Sequence, residues 1–293
     1  MRVVILGLGI IAAVFIFTAQ DSSACAFNCS NSPELRASGF VSKNDQTFPY
    51  ANEYRNETPL PTIDNAGSKK LVIWLHGQDN PRQKESCSAQ YNLPPKTILA
   101  LDERADTHVY YHCSSVIDPK MDGDNVPDDG VHYIYGRAYG YYTLGRRDEL
   151  ETLLDRFLDI GVLPANIVLA GHSAGAWTAL LAAASYPEKF NGLIAFAPSF
   201  AGKRHEEKRY PWWRKIIRPE QVEMIIRPNT VRKLVFAYED DLFNRPAELA
   251  FIEQAFPETA TVISQDCGKG HDTHKSDCAS DQTLEFMTQI IFE

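Results

Sequence analysis

From Lys69 to the C-terminus, short continuous apolar runs alternate with segments whose apolar residues recur at helical spacing. An unbroken apolar run predicts a strand buried on both faces, and such strands occur in parallel sheets covered by helices. The predicted strands are 71–75, 107–112, 166–170, 192–197, 233–238 and 261–264, and the predicted helices are 148–160, 174–185 and 282–292. The sequence therefore predicts an α/β domain with a mostly parallel central sheet flanked by helices, in which ligands bind beyond the carboxyl ends of the strands.

The composition is compatible with one large domain and argues against nucleic acid as a partner. The chain has 293 residues, of which 44% are hydrophobic, enough for one extensive core. The formal net charge is −9, whereas phosphate binding requires a basic face. Residues 25–68 are polar and rich in Asn, Pro, Ser and Thr, which predicts an N-terminal arm with at most one hairpin ahead of a main domain at 69–293.

The first residues have the order of regions found in a signal peptide. Arg2 is followed by an apolar run at 3–19 and then by a short stretch of small and polar residues. Cleavage after Ala24 or after Ala26 would satisfy the rule for small residues near the cleavage site, and we take 1–24 as the signal peptide. An uncleaved N-terminal anchor is the alternative. The prediction is a secreted or periplasmic protein.

Six cysteines gain meaning in an exported protein, because disulfides persist in oxidising compartments. Local pairing is the simplest arrangement, and it would join Cys25 to Cys29, Cys87 to Cys113, and Cys267 to Cys278. No C-x-x-C motif and no His/Cys cluster at zinc spacing is present in the sequence. No metal and no cofactor is therefore expected at these thiols.

The segment Gly171–His172–Ser173–Ala174–Gly175 matches the pattern Gly-x-Ser-x-Gly. In this pattern the serine occupies a cramped strand-to-helix turn, where larger residues at the glycine positions would collide with neighbouring elements. Here the match follows a predicted strand and opens an Ala-rich predicted helix, which is the context the motif requires. We therefore predict Ser173 as a nucleophile; the alternative is a structural turn with an idle serine.

A serine nucleophile that transfers acyl groups also needs N–H donors for the oxyanion that forms at the carbonyl. The N–H of Ala174, at the start of the helix after the nucleophile, is one candidate. His76 and Gly77 end an earlier predicted strand, and the loop there predicts the N–H of Gln78 as the second donor.

A general base and an acid can be sought in loops that follow later strands. His271 follows the last predicted strand and precedes the final helix, and His274 in the same loop is the competing candidate. The acid should lie between serine and histidine in the chain, and Glu239–Asp240–Asp241 follows the strand that ends at Tyr238. We predict Asp240 as the acid, with Asp241 as the alternative.

These segments together resemble the α/β-hydrolase family, of the esterase, lipase and dienelactone-hydrolase-like kind. The resemblance extends from about Lys69 to the C-terminus and rests on His76–Gly77, the GHSAG segment, Ala195–Phe196–Ala197–Pro198, Asp240 and His271. It implies the α/β-hydrolase fold with the triad Ser173, Asp240 and His271. The chain has His76–Gly77–Gln78–Asp79 in place of the HGGG-type loop of many esterases, a departure that concerns the second oxyanion donor and the subfamily.

Two further segments could influence ligand binding. An insertion at about 201–231, where this fold usually carries a lid, contains many Lys and Arg residues together with Trp212 and Trp213. It could hold an acidic substrate or contact an anionic membrane surface, and the simpler alternative is an amphipathic lid with a solvated basic face. The acidic segment 122–129 resembles a calcium loop, but a polar surface loop is the interpretation we favour for a single copy.

The sequence as a whole predicts a secreted serine hydrolase that cleaves carboxylic esters through an acyl-enzyme. The expected substrate is a small or lipid-like ester. A peptidase on the same fold is the first alternative, since ester and amide cleavage share this machinery. A catalytically silent binding protein with the same fold is the second.

Overall fold

The computed structural model describes residues 38–41, 60, 63–77, 92–104, 106–114, 142–200, 203–208, 211 and 213–292. The strands are β1 (Gly39–Val41), β2 (Lys70–Leu75), β3 (Thr107–His112), β4 (Ile167–His172), β5 (Gly192–Phe196), β6 (Arg232–Tyr238) and β7 (Ala260–Gln265). The helices are α1 (Lys96–Leu99), α2 (Tyr142–Asp159), α3 (Ala174–Ser185), α4 (Arg218–Ile225), α5 (Pro246–Leu249), α6 (Phe251–Ala255) and α7 (Ser280–Met287). Short 3₁₀ and π turns connect several of them.

The seven described strands form one sheet in the order β1-β3-β2-β4-β5-β6-β7. Strand β1 is antiparallel to β3, and every other pair is parallel. The predicted mostly parallel α/β sheet is thus confirmed. The order departs from the chain order at β3, β2 and β4, so that β2 and β4 are neighbours and their carboxyl ends meet at one edge of the sheet.

Successive side chains of the strands pack alternately into two separate cores, one on each face of the sheet. Leu71 and Ile73 of β2 face α2 and α3, whereas Val72 and Trp74 face α1 and α7. All four side chains are almost fully buried. Burial on both faces explains why the parallel strands appear in the sequence as unbroken apolar runs.

Predicted element boundaries agree best where a strong local signal ends the element. Helix α3 has the predicted bounds, 174–185, because Gly-x-Ser-x-Gly precedes it and Pro187 follows it. Helix α2 begins at Tyr142, six residues before the predicted start at Asp148, and its first turn buries polar residues that hide the apolar period. The final predicted helix, 282–292, is instead α7 followed by a π turn at Thr288–Phe292.

The insertion at 201–231 consists, where described, of short turns and one helix. A 3₁₀ turn at Arg204–Lys208 and a π turn at Trp213–Ile217 precede α4. None of the described helices combines the length and apolar character needed to cross a membrane. The predicted signal peptide, most of the N-terminal arm, Cys25, Cys29, Cys87, Trp212 and the acidic segment 122–129 lie outside the described residues, and the predictions about them stand as predictions.

Candidate active site

Ser173 lies between β4 and α3 in a sharp turn with unusual backbone angles. Its φ is 54° and its ψ is −118°, a conformation that is strained for a residue with a side chain. Three backbone hydrogen bonds maintain it: the Ser173 N–H donates to Phe196 O at 2.9 Å, and Ser173 O accepts from Trp177 N and Ser199 N at 3.0 and 3.1 Å. The surrounding backbone thus holds the serine in this turn.

Glycine at position 175 is required because α3 crosses the end of β2 at close range. A Cβ atom on Gly175 would lie 2.2 Å from Leu75 O and 2.5 Å from His76 O, both backbone atoms that cannot move aside independently. Gly77 lies beside the serine at about van der Waals contact, since a Cβ there would lie 3.4 Å from the Cβ of Ser173. The small residues therefore bring the end of β2 beside Ser173.

His271 connects the serine to a carboxylate. Its Nε2 lies 2.8 Å from Ser173 Oγ, and its Nδ1 lies 2.9 Å from Asp241 Oδ2. The imidazole is partly buried, with 18% of the side chain exposed, while the side chain of Asp241 is fully buried. Phe243 packs on the imidazole at a ring-centroid distance of 4.2 Å. With the proton on Nδ1 donated to Asp241, Nε2 is free to accept the hydroxyl proton of Ser173.

The prediction that Asp240 contacts the imidazole is corrected. The carboxylate beside His271 is that of Asp241, the next residue in the chain. The N–H of Asp241 donates to Tyr238 O, which closes a tight turn directly after β6. This turn directs Asp241 back into the protein and leaves Asp240 exposed. Asp240 has a different contact: its Oδ2 accepts the N–H of Gly270 at 2.7 Å, next to His271 in the chain.

The second oxygen of Asp241 is also bonded. Its Oδ1 accepts the N–H of Phe243 at 2.6 Å, so the carboxylate is oriented from both sides. A buried carboxylate with hydrogen bonds to both oxygens holds the adjacent imidazole in one orientation.

The competing histidine, His274, lies one 3₁₀ turn further, within Gly270–Lys275. It is buried, and its ring stacks on His172 at a centroid distance of 3.7 Å and on Trp74 at 6.2 Å. Nε2 of His172 lies 2.8 Å from the carbonyl oxygen of His271. Burial, and then the neighbouring His274 and His271, lower the pKa of His172 well below its usual value. His172 is therefore neutral and supports the backbone of His271.

His172, Asp272 and His274 bring possible metal-ligand atoms within 4.8 Å of one another. Their contacts are those of packing, however, since the two imidazoles stack and Nε2 of His172 already bonds to a carbonyl. Asp272 is exposed and lies 3.7 Å from the ammonium of Lys275. These contacts give no support to a metal centre here.

The predicted oxyanion donors are only half described. Ala174 is fully buried at the first position of α3, directly after Ser173. The N–H groups at a helix start carry partial positive charge and have no partner within the helix. Gln78 lies outside the described residues, so the second donor stays a prediction; Gly77 is the last described residue of that loop.

Three described arginines of the insertion pair within the protein. Arg204 and Arg214 lie 3.4 and 2.8 Å from the carboxylate of Glu248, and Arg218 donates to the Glu248 backbone carbonyl. Arg214 also donates to the backbone carbonyl of Phe243, the residue that packs on His271. These arginines tie the insertion to the loop that carries Asp241.

Cys267 and Cys278 lie on either side of the His271 turn, and their Cα atoms are 6.4 Å apart. This separation is within the range of disulfides. Gln265 Nε2 donates to the carbonyl of Cys278 at 3.1 Å, which adds a second connection across this loop.

Sequence reasoning missed several of the residues that support the site. Arg146, Glu149 and His172 contact the loops around Ser173 only through the tertiary structure. The one sequence signal available was a cluster of charged residues near the start of α2, which by itself indicates only a solvated helix face.

The fold is of the α/β-hydrolase type, and comparisons with known proteins agree with that fold. A family model described as Hydrolase_4, serine aminopeptidase S33, matches residues 148–245. Est1E from Butyrivibrio proteoclasticus aligns at a TM-score of 0.53 and 13% identity, over 78% of this chain and 91% of that chain. A puromycin-hydrolyzing peptidase from Mycobacterium tuberculosis aligns at 0.54 and 16% identity, over 81% of this chain and 37% of that chain. Curated protein sequences give no significant match.

The chain thus has the α/β-hydrolase fold that the sequence resemblance implied. The matched family model covers about a third of the chain, from within α2 to the residue before α5, and includes Ser173 and Asp241 but not His271.

Proposed function

We propose that the protein is a serine hydrolase that cleaves carboxylic esters through an acyl-enzyme, with Ser173, His271 and Asp241 as its triad. The observation that carries this proposal is the pair of contacts at His271, 2.8 Å to the serine hydroxyl and 2.9 Å to a buried carboxylate. This is the order nucleophile, base and orienting acid that acyl transfer requires.

In the acylation step, Ser173 Oγ forms a bond to the ester carbonyl carbon while its proton passes to His271 Nε2. The carbonyl oxygen becomes an oxyanion, which the N–H of Ala174 and the predicted N–H of Gln78 would stabilise. The imidazolium that results faces the carboxylate of Asp241. When the intermediate collapses, the bond to the alcohol oxygen breaks and the alcohol leaves with the proton from Nε2.

Deacylation repeats the same steps with water. Water gives a proton to Nε2 and attacks the acyl carbon, and the new oxyanion occupies the same donors. Collapse releases the carboxylic acid and returns the proton to Ser173. Protons and electron pairs balance over the cycle, which consumes one ester and one water.

Amide hydrolysis is the second candidate function. The matching family model is described as a serine aminopeptidase, and one similar structure is that of a puromycin-hydrolyzing peptidase. A peptidase needs His271 to protonate a much poorer leaving group, but the residues that form the acyl-enzyme would be the same.

We further propose that the protein is exported and acts on small or lipid-like esters. The N-terminal order of basic, apolar and small residues supports export. Contact of the insertion with an anionic membrane surface remains a proposal; pairing of Arg204 and Arg214 with Glu248 leaves those two less available for it. N-terminal sequencing of the mature protein from the expression host would test cleavage after Ala24 or Ala26.

The enzymatic proposal is tested by a substrate panel and a covalent probe. Purified protein should hydrolyse p-nitrophenyl esters of graded chain length faster than peptide amides, and a fluorophosphonate should label Ser173. Ser173→Ala should abolish both labelling and turnover. Wild-type protein with neither activity would support the silent binding alternative, and preference for amides would support the peptidase.

A further inference from the structure

We infer that Arg146 is a positioning residue for the loop that begins at His76–Gly77, where the second oxyanion donor is predicted. This role rests on the proposed function. Arg146 belongs to α2 and is 3% exposed. Its Nη1 donates to Gly77 O at 2.9 Å and to His76 O at 3.3 Å, across 69 and 70 residues of chain. One buried guanidinium thus holds two successive carbonyls at the end of β2, where the second oxyanion donor is predicted.

His76 adds a second donor to the same carbonyl. Its Nε2 accepts the N–H of Ser114 at 3.1 Å, so the ring proton is on Nδ1, which lies 2.7 Å from Gly77 O. Burial, and then the charge of Arg146, lower the pKa of His76 well below its usual value, which favours the neutral ring, and the N–H of Ser114 on Nε2 sets its tautomer. Gly77 O therefore receives hydrogen bonds from both Nδ1 of His76 and Nη1 of Arg146.

Helix α2 also holds the end of the neighbouring strand. Glu149, one turn after Arg146, accepts a hydrogen bond from Ser114 Oγ, and its carboxylate lies 3.3 Å from Nε2 of His112. Ser114 is the residue whose N–H fixes the His76 ring. The carboxyl ends of β2 and β3 are thus attached to the same helix through charged, buried side chains.

The consequence for catalysis follows from the planarity of the peptide group. In a trans peptide the C=O and the N–H of the next residue point in opposite directions, so two donors that fix the Gly77 carbonyl would also set the direction of the N–H that follows it, which is the predicted second oxyanion donor. Gly77 adjoins Ser173, since a Cβ atom placed at Gly77 would lie 3.4 Å from the Cβ of Ser173. A donor oriented before the reaction stabilises the oxyanion without reorganisation, and the buried positive charge of Arg146 further polarises the peptide.

The test compares Arg146→Gln with Arg147→Gln, a control at the next position of the same helix. The guanidinium of Arg147 is partly exposed and bonds to the exposed Asp148, not to the carbonyls of His76 and Gly77. Active sites are titrated with a fluorophosphonate, and kcat and KM are measured for a p-nitrophenyl ester per titrated site. The affinity of a trifluoromethyl ketone, which forms an oxyanion on the serine, is measured in parallel.

Arg146→Gln should lower kcat per titrated site about 10- to 100-fold with KM within about twofold, since removal of a direct oxyanion donor costs 10²–10³. Affinity for the trifluoromethyl ketone should fall by a similar factor, and Arg147→Gln should match wild type. A purely structural role would reduce the number of titrated sites and the melting temperature instead. If Arg146→Gln does not fold, Arg146→Lys keeps the charge but lacks the planar guanidinium whose Nη1 reaches both carbonyls, and we expect kcat per titrated site to fall about 3- to 10-fold.

Wild-type kcat per titrated site in folded Arg146→Gln, or in Arg146→Lys, would overturn the inference and leave the proposed function intact. A wild-type protein without ester turnover or probe labelling would instead refute the proposed function and the inference together.

Discussion

Asp240 and Asp241 form a matched pair for testing the site, because they are adjacent carboxylates with different contacts. Asp241 is fully buried, and its Oδ2 lies 2.9 Å from His271 Nδ1. Asp240 is exposed, and its Oδ2 accepts the N–H of Gly270. The same substitution at each position, Asp to Asn, should therefore separate orientation of the imidazole from support of the loop.

Asp241→Asn should be close to inactive. An amide at this position can donate to Nδ1, which favours the tautomer with the proton on Nε2, so that the imidazole cannot accept the Ser173 proton. The corresponding loss in a triad is about 10⁴-fold in kcat, or about 5.5 kcal/mol at 1.36 kcal/mol per tenfold. Asp241→Asn should still fold, since its Oδ1 can accept the Phe243 N–H.

Asp240→Asn should keep most of the activity. Its amide oxygen can still accept the Gly270 N–H, so we expect a kcat within about threefold of wild type. Asp240→Ala removes that acceptor, and the loss of about 0.5–1.5 kcal/mol would lower the equilibrium constant between the active and the displaced loop roughly 2- to 13-fold, which is the upper limit on the fall in kcat.

The assay is ester turnover per active site, with circular dichroism to confirm folding and fluorophosphonate labelling to count the reactive serines. Labelling of Asp241→Asn should be slow, while Asp240→Asn should label at the wild-type rate. If Asp240→Asn were the inactive variant and Asp241→Asn the active one, the assignment made from the His271 contacts would be refuted.

Two further predictions concern stability and the His271 loop. Burial lowers the pKa of Lys233 to about 8, so the unfolded chain binds more protons between about pH 8 and 10.4; the destabilisation present below pH 8 should be relieved as the pH rises. Urea unfolding should show wild type gaining stability relative to Lys233→Met over that interval, and parallel curves would contradict the assigned shift. A disulfide between Cys267 and Cys278 remains a proposal, and it would stabilise the fold by about 3 kcal/mol. Changing both cysteines to Ser should reduce turnover at temperatures where the far-UV circular dichroism is still that of the folded protein. Both thiols found free in active protein would exclude the bond.

The turn that carries Ser173 could be predicted from sequence because its signals are local. A strand, a Gly-x-Ser-x-Gly turn and an Ala-rich helix are contiguous in the chain, and the close approach of Gly175 to the end of β2 explains why the glycine is needed. The parallel sheet could also be predicted from sequence, since burial on both faces leaves unbroken apolar runs such as 71–75. The order of serine, acid and histidine followed from the positions of loops after strands.

Neighbouring candidates could be separated only by the tertiary structure. Asp240 and Asp241 follow the same strand, and a single hydrogen bond from Asp241 N to Tyr238 O turns one inward and the other outward. His271 and His274 share one 3₁₀ turn, whose orientation brings the first to Ser173 and stacks the second on His172. A sequence pattern carries no information on which side of such a turn faces the sheet.

The hydrogen bonds that Arg146 makes at the end of β2 could not be predicted from sequence. Arg146 and Gly77 are 69 residues apart, and nothing in their local sequences indicates that they meet. Their contact exists because α2 packs beside α3 and thereby reaches the end of β2. Local patterns thus determined which elements form and where the Ser173 turn lies. Long-range packing decided which charged groups surround that turn, because those contacts join segments that only the folded sheet brings together.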